Sequence, residues 1–80
     1  MSQPRYRIAA LYQFGHIDDP EALQRPLKEL CVQQGVCGTL ILATEGINGT
    51  IGGPAAGIEA VLDALRAIDG FADLEHKESW

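Results

Sequence analysis

The residues best suited to chemistry or ligand binding lie in the glycine-rich stretch ATEGINGTIGG, residues 43 to 53. Glu45 and Asn48 of this stretch can hydrogen-bond a ligand through their side chains. Glycine-rich loops that bind phosphates or dinucleotides follow the patterns GxxxxGKS, GxxxxGKT or GxGxxG, and none of these occurs here. The stretch is better explained as a tight β-hairpin with its turn at Glu45-Gly46. A site formed by its backbone amides, Glu45 and Asn48 is the less favoured alternative.

His16 is a second candidate for binding. It is predicted to lie in the loop between the first strand and the first helix, a position in which functional side chains often occur. Close to a helix N-terminus the charged form of a histidine is disfavoured, so His16 can act as a neutral hydrogen-bonding group toward a ligand or a partner. A loop histidine that only bonds the backbone is the more frequent case.

Two cysteines, Cys31 and Cys37, are the only thiols of the chain. Their spacing fits neither a CxxC redox pair nor a zinc knuckle. We expect reduced thiols that pack as small hydrophobic side chains, with a disulfide or a metal site as the less favoured alternatives. No metal and no cofactor is predicted.

Composition and charge limit the class of protein. The 80 residues suffice for one domain, and a hydrophobic fraction of 46% is typical of a globular fold. The net charge of −5 argues against a general nucleic-acid binder, which needs a cationic surface, although it allows a local basic patch. No apolar run reaches the length of a membrane span and MSQPRYR lacks the apolar stretch of a signal peptide, so a cytoplasmic protein is expected.

The elements that must position these residues follow from the hydrophobic pattern. In chain order we predict a strand at Tyr6–Phe14, a helix that begins at Pro20 and stops at Gly35, strands at Cys37–Thr44 and Ile47–Ile51, a helix at Pro54–Asp69 and a strand at Phe71–Trp80. Asp18 or Asp19 can cap the first helix, and Pro26 should kink it or make its first turn irregular. The first strand is apolar on both faces, so it is expected in the centre of the sheet.

The order β-α-β-β-α-β predicts an α+β protein with the ferredoxin-like, or acylphosphatase-like, sandwich. In this fold two helices cover one face of a four-stranded antiparallel sheet, and residues 1 to 80 are expected to form one such domain. RNA-recognition domains share this shape and stack bases on aromatic side chains of the sheet. Tyr12 and Phe14 can occupy such an open face. However, the paired aromatics of the RNA-binding consensus are absent, so packing in the core or against another domain is favoured for both rings.

The stretch GTLILATEGINGTIGG also resembles the EGINGT signature of the bacterial rhodanese-related tRNA uridine hydroxylases. The LYQF strand, HIDDP, the region around Cys31, the helix start at Pro54 and HKES agree with that family, so the resemblance covers nearly the whole chain. It implies the N-terminal domain of an enzyme that converts the wobble uridine of tRNA to 5-hydroxyuridine. In that family a rhodanese domain with the catalytic cysteine follows. No residue here matches the rhodanese active-site loop, so neither Cys31 nor Cys37 inherits a catalytic role.

The resemblance implies an accessory function, in which the domain helps to place the tRNA anticodon region or braces the rhodanese domain. Tyr12, His16, Glu45 and Asn48 are the candidate contacts to substrate or partner. Two alternatives are a part of a rhodanese-type sulfurtransferase, whose thiolate would lie in the other domain, and a regulatory module that binds a small ligand. A hydrolase like acylphosphatase is set aside, because it needs an arginine in the loop after the first strand and the loop here is GHIDDP.

Overall fold

The computed structural model of the chain describes residues 6 to 79. Its elements are β1 (Tyr6–Phe14), α1 (Pro20–Gln34), β2 (Cys37–Ala43), β3 (Gly46–Pro54), α2 (Ala55–Arg66) and β4 (His76–Ser79). The strands form one antiparallel sheet in the order β2-β3-β1-β4. The predicted α+β ferredoxin-like fold is therefore confirmed.

β1 lies in the centre of the sheet, as its two apolar faces predicted. It pairs with β3 along its whole length and with β4 over four residues. Because side chains alternate across a strand, Ala9 and Leu11 point to the helices and are buried, whereas Tyr12 and Phe14 point to the opposite face and are exposed. The tyrosine and phenylalanine rings are thus not part of the core.

The core lies between the helices and one face of the sheet. The buried hydrophobic residues are Ala9, Leu11, Ile17, Leu27, Val36, Leu42, Ile47, Ile51, Ile58, Val61, Leu62, Leu65, Phe71 and Leu74. Helix α2 contributes most to it, because its apolar residues recur at the three- and four-residue spacing of one helical face. Ile68, which lies within the predicted helix Pro54–Asp69, lies beyond the end of α2 and packs partly buried against the core.

Helix α1 has the caps that its sequence predicted. The Asp19 side chain accepts a hydrogen bond from the Ala22 backbone N–H at 3.3 Å, and Gly35 ends the helix with a φ of +69°. The helix continues without interruption through Pro26, so the expected irregular first turn is not observed. Neither helix of the described part of the chain is long and apolar enough to cross a membrane.

The β2–β3 hairpin turns one residue earlier than predicted. Thr44 and Glu45 form the turn, and Gly46 already pairs with Ala43. Strand β3 consequently reaches from Gly46 to Pro54 instead of Ile47–Ile51. The reason is that its glycines permit close backbone approach within the sheet. A Cβ at Gly49, for example, would lie 3.0 Å from the Cα of Leu40 on β2.

The C-terminal elements are shorter than predicted. Helix α2 covers Ala55–Arg66, and β4 covers only His76–Ser79 of the predicted strand, whose last residue, Trp80, lies outside the described residues. Phe71 and Leu74 are both buried, which requires a turn rather than a strand between them. The Leu74 backbone N–H donates to the Phe71 carbonyl oxygen at 3.1 Å and closes this turn.

Candidate functional site on the open sheet face

The sheet face opposite the helices is apolar and exposed. We call it the open face. It consists of the outward side chains Tyr6, Ile8, Ala10, Tyr12, Phe14, Cys37, Thr39, Ile41, Ala43, Asn48, Thr50 and Lys77. Four of the five large hydrophobic side chains that are strongly exposed in residues 6 to 79 belong to it, namely Tyr6, Tyr12, Phe14 and Ile41. Contiguous apolar surface of this kind marks interaction sites in soluble proteins.

Three of the four predicted site residues meet at one end of the open face. Asn48 on β3 is the register partner of both Tyr12 on β1 and Ile41 on β2, so these side chains form a row across three strands. Glu45 reaches the same place from the hairpin turn. With Phe14, these residues line a shallow depression of about 270 Å³. The depression offers an aromatic wall, one carboxylate and one amide to a bound group.

The rings of Tyr12 and Phe14 contact each other at the edge of this depression. Their centroids are 5.0 Å apart and their planes are inclined by 80°, an edge-to-face pair. The side chains are 62% and 70% exposed, respectively, although each is large and apolar. Because the ring planes are nearly perpendicular, the pair cannot act as one flat platform for two successive stacked bases. It is suited to fit into a pocket of a partner surface.

His16, the fourth predicted site residue, does not line the depression. Its side chain is 75% exposed in the β1–α1 loop. The Nε2 atom lies 2.8 Å from Asp18 Oδ1, and the carboxylate accepts this hydrogen bond. His16 therefore bonds a neighbouring side chain rather than the backbone and remains accessible to a partner.

The two thiols differ in exposure. Cys31 is partly buried, and burial raises the pKa of its thiol. Cys37 is exposed, contrary to expectation, because it occupies the first position of an edge strand on the open face. Its Sγ lies 3.1 Å from Tyr6 Oη, and this hydrogen bond raises the pKa of Tyr6. Within residues 6 to 79, no group of three or more histidine, cysteine, aspartate and glutamate side chains is placed to hold a metal ion.

A polar cluster that the sequence did not indicate lies on the helix-covered side of β4. We call it the β4 clasp; it consists of Arg7, Glu59, Arg66, His76 and Glu78. The Nη2 atom of Arg66 donates a hydrogen bond to Nδ1 of His76 at 3.3 Å. The Nε2 atom of His76 donates a second one to Oε2 of Glu78 at 2.8 Å. Because a guanidinium can only donate, Nδ1 is the acceptor in the first of these hydrogen bonds. The His76 side chain is only 16% exposed, so it is held within this cluster and away from solvent.

Arg7 connects this cluster to the rest of the sheet. Its guanidinium lies 3.3 Å from Glu78 Oε1 on β4 and 3.2 Å from Glu59 Oε1 on α2. The hydrogen bond from His76, followed by the charge of Arg7, lowers the pKa of Glu78. The clasp therefore fastens the short β4 to β1 and α2. The sequence signal for it is weak: His76 and Glu78 share one side of a strand, but Arg7, which pairs with Glu78, lies near the other end of the chain.

Comparison with known proteins agrees with this architecture. Residues 6 to 80 match the family described as the UPF0176 acylphosphatase like domain. The tRNA uridine(34) hydroxylase of Caulobacter vibrioides is 59% identical over 75 residues, which are 94% of this chain and 24% of that protein. The proteins of the same name from Agrobacterium fabrum and Rhizobium leguminosarum are 58% and 60% identical over 74 residues, or 92% of this chain and 24% of theirs.

The chain thus spans about a quarter of the length of the curated relatives that it matches. The β1–α1 loop GHIDDP contains no arginine, the residue that the hydrolase alternative was expected to need there. The match over nearly all of the chain, together with the observed sheet order, shows that the protein belongs to the UPF0176 acylphosphatase-like domain family.

Proposed function

We propose that this chain is an accessory domain of a tRNA-modifying oxidoreductase. Support comes from relatives named tRNA uridine(34) hydroxylase, which share 58% to 60% of residues with it over more than nine-tenths of its length. The remaining three quarters of those relatives provide room for a separate catalytic domain. The sequence resemblance implies that this domain is a rhodanese domain bearing the catalytic cysteine, and that the product is 5-hydroxyuridine at the wobble position.

The low charge of the open face supports a bracing role. Among its side chains only Lys77 is charged, and Glu45 lies at its margin in the hairpin turn. The cores of protein–protein interfaces are enriched in aromatic residues and depleted of charges, whereas RNA binding needs several cations to neutralise phosphates. The composition of this face favours a protein partner. We therefore assign the open face as the surface that packs against the rhodanese domain of the longer protein.

The four candidate residues have different roles in this proposal. Tyr12 is the aromatic anchor, since a large exposed ring beside a depression fits a pocket of the partner. Asn48 and Glu45 make polar contacts at the same end of the face, and Glu45 can pair with an arginine of the partner. His16, held by Asp18, makes a separate contact from the β1–α1 loop.

Chemical shift perturbation of the isotope-labelled chain tests the bracing role. The partner is the remainder of the Caulobacter vibrioides relative, expressed without the segment that matches this chain. We expect shifts at Tyr12, Phe14, Ile41 and Asn48, and weaker binding by a Tyr12→Ser variant. A Glu21→Ser variant on the exposed side of α1 is the control. Shifts confined to the helix-covered side would contradict the proposal.

Placement of the tRNA anticodon loop is the second candidate function. This function is favoured by the position of the exposed Tyr12 ring. Asn48 lies on one side of the ring, and a second depression, which Lys77 helps to line, lies on the other side. This arrangement can stack one base, bond its edge and contact a phosphate. Titration with an anticodon stem-loop at low and then physiological salt distinguishes the two functions. Shifts at Tyr12, His16 and residues 45 to 50 that persist at physiological salt would favour tRNA placement over bracing.

A further inference from the structure

Three polar side chains at one end of the open face lack partners. The Glu45 carboxylate, the Asn48 amide and the Tyr12 hydroxyl are exposed, and none of them forms a hydrogen bond or an ion pair with another residue of the described part of the chain. All three residues line the depression of about 270 Å³, together with Ile41. We call this place the Tyr12 depression. It offers hydrogen-bond acceptors beside an aromatic ring and an apolar wall.

The charge around the Tyr12 depression is negative. The Gly15 backbone N–H donates to the Glu45 carbonyl oxygen at 3.1 Å, and this bond joins the hairpin turn to the β1–α1 loop, which carries the exposed Asp18 and Asp19. Within residues 6 to 79, no lysine or arginine lines the depression. Lys77 lines a separate depression on the β4 side of β1. The Tyr12 depression therefore attracts a cation and repels an anion such as an RNA phosphate.

A partner that covers the open face must compensate the Glu45 charge. Carboxylates at the other end of the sheet are already paired, since Arg7 lies 3.2 Å from Glu59 and 3.3 Å from Glu78. Glu45 has no such cation in the described part of the chain. A purely apolar partner surface would take its carboxylate out of water without a hydrogen bond, which costs free energy. The partner is therefore expected to bring a cationic donor to this place.

We propose that the Tyr12 depression binds an arginine side chain of the partner, with the guanidinium between the Tyr12 ring and the Glu45 carboxylate. A guanidinium is planar, so it stacks on an aromatic ring while its edge donates two parallel hydrogen bonds to a carboxylate. The side-chain oxygen of Asn48 can accept a third hydrogen bond. Only the source of the arginine, the rhodanese domain, rests on the bracing role proposed above.

The walls and the size of the depression favour arginine over other cations. Ile41 and Phe14 present apolar surface, which cannot replace the water around a strongly hydrated lysine ammonium but tolerates the more weakly hydrated guanidinium. Pockets for free small ligands typically have volumes of about 300 to 1,000 Å³. The depression, at about 270 Å³, is smaller than these and suits a single side chain that a protein surface delivers.

An NMR titration of the isotope-labelled chain with N-acetyl-arginine amide tests the site without any partner domain. N-acetyl-lysine amide at the same concentration and ionic strength is the matched ligand. We expect shifts at Tyr12, Ile41 and Asn48 with the arginine compound, and binding of the lysine compound that is weaker by about five-fold. Glu45→Gln should weaken arginine binding by about three-fold. Glu21→Gln removes the same charge from the exposed side of α1 and should leave the binding unchanged.

Three results would overturn the proposal: equal binding of the two compounds, shifts that do not centre on the Tyr12 depression, or equal effects of Glu45→Gln and Glu21→Gln. Thermal unfolding of both variants excludes simple loss of the fold.

The same two variants connect the site to the partner. With the remainder of the Caulobacter vibrioides relative, Glu45→Gln should weaken binding by about ten-fold or more, because the arginine would then be buried without its carboxylate, whereas Glu21→Gln should not. A remainder that does not bind, while the arginine compound does, would contradict the bracing role and leave the site standing. Unchanged binding of the remainder by Glu45→Gln, together with tighter binding of an anticodon stem-loop, would assign the depression to RNA and overturn the proposal.

Discussion

Gly49 illustrates what a single residue contributes to the sheet. It lies in the middle of β3 with a φ of +154°, a conformation that residues with a side chain rarely adopt. A Cβ at this position would overlap the carbonyl oxygen of Thr39 and lie 3.0 Å from the Leu40 Cα, both on β2. The glycine thus permits close approach of β2 and β3 next to Asn48.

Substitution of Gly49 by alanine should weaken the whole fold. Backbone strain and overlap together are expected to lower the free energy of unfolding by about 3 kcal/mol. Gly70→Ala is the control, because Gly70 has a φ of +88° but nothing within 4 Å of its Cβ position, so only about 1 kcal/mol should be lost there. Urea unfolding measures both. Equal losses would show that backbone conformation, and not the contact with β2, decides the cost.

At the scale of elements, local signals and tertiary contacts determine different features. Strand β1, helix α2 and the cap of α1 follow from local patterns. The sequence predicted both elements and limited the cap to Asp18 or Asp19, of which Asp19 is observed. The hairpin was predicted one residue late, because Gly46 was interpreted as a turn residue. Its actual role is close packing against β1, where a Cβ would overlap the Gln13 carbonyl oxygen. That contact depends on strand pairing, which no local pattern specifies.

The β4 clasp predicts a dependence of stability on pH. The pKa of Glu78 in the fold is below its ordinary value of 4.5, mainly through the hydrogen bond from His76. Its carboxylate therefore stabilises the fold fully above that ordinary value, and the contribution is lost as pH falls through the lowered pKa. Glu78→Gln should reduce stability at neutral pH and flatten the loss of stability under acid. Urea unfolding between neutral and acidic pH measures this.

Glu75→Gln provides the control for the clasp. Glu75 is exposed and lies in the segment just before β4, close in sequence to Glu78. Its substitution should leave both the stability at neutral pH and the acid profile as in the wild type. If Glu78→Gln also retained the wild-type profile, the clasp would not be what fastens β4 to β1 and α2.

At the scale of the whole molecule, the sequence predicted which residues belong to the candidate site but not how they are arranged in space. Tyr12, Glu45 and Asn48 were singled out from residue type, position and local spacing. Their meeting at one depression follows from the register of β1, β2 and β3, which the hairpin sets. The clasp gave even less signal, since Arg7 and Glu59 are 52 positions apart. The contribution of Tyr12, Glu45 and Asn48 to binding remains a prediction.

The open face should be dispensable for folding, because the core lies entirely on the other side of the sheet. A double variant with Tyr12→Ser and Phe14→Ser removes two exposed rings and should change the free energy of unfolding by no more than about 0.5 kcal/mol. Leu11→Ser, at the intervening buried position of the same strand, should cost several-fold more. Urea unfolding of the three proteins measures the difference.

A large loss in the double variant would show that the rings stabilise the domain itself. A negligible loss would mean that the domain keeps two large aromatic rings in water without need of them for its own stability, and that their benefit arises only when a partner covers them.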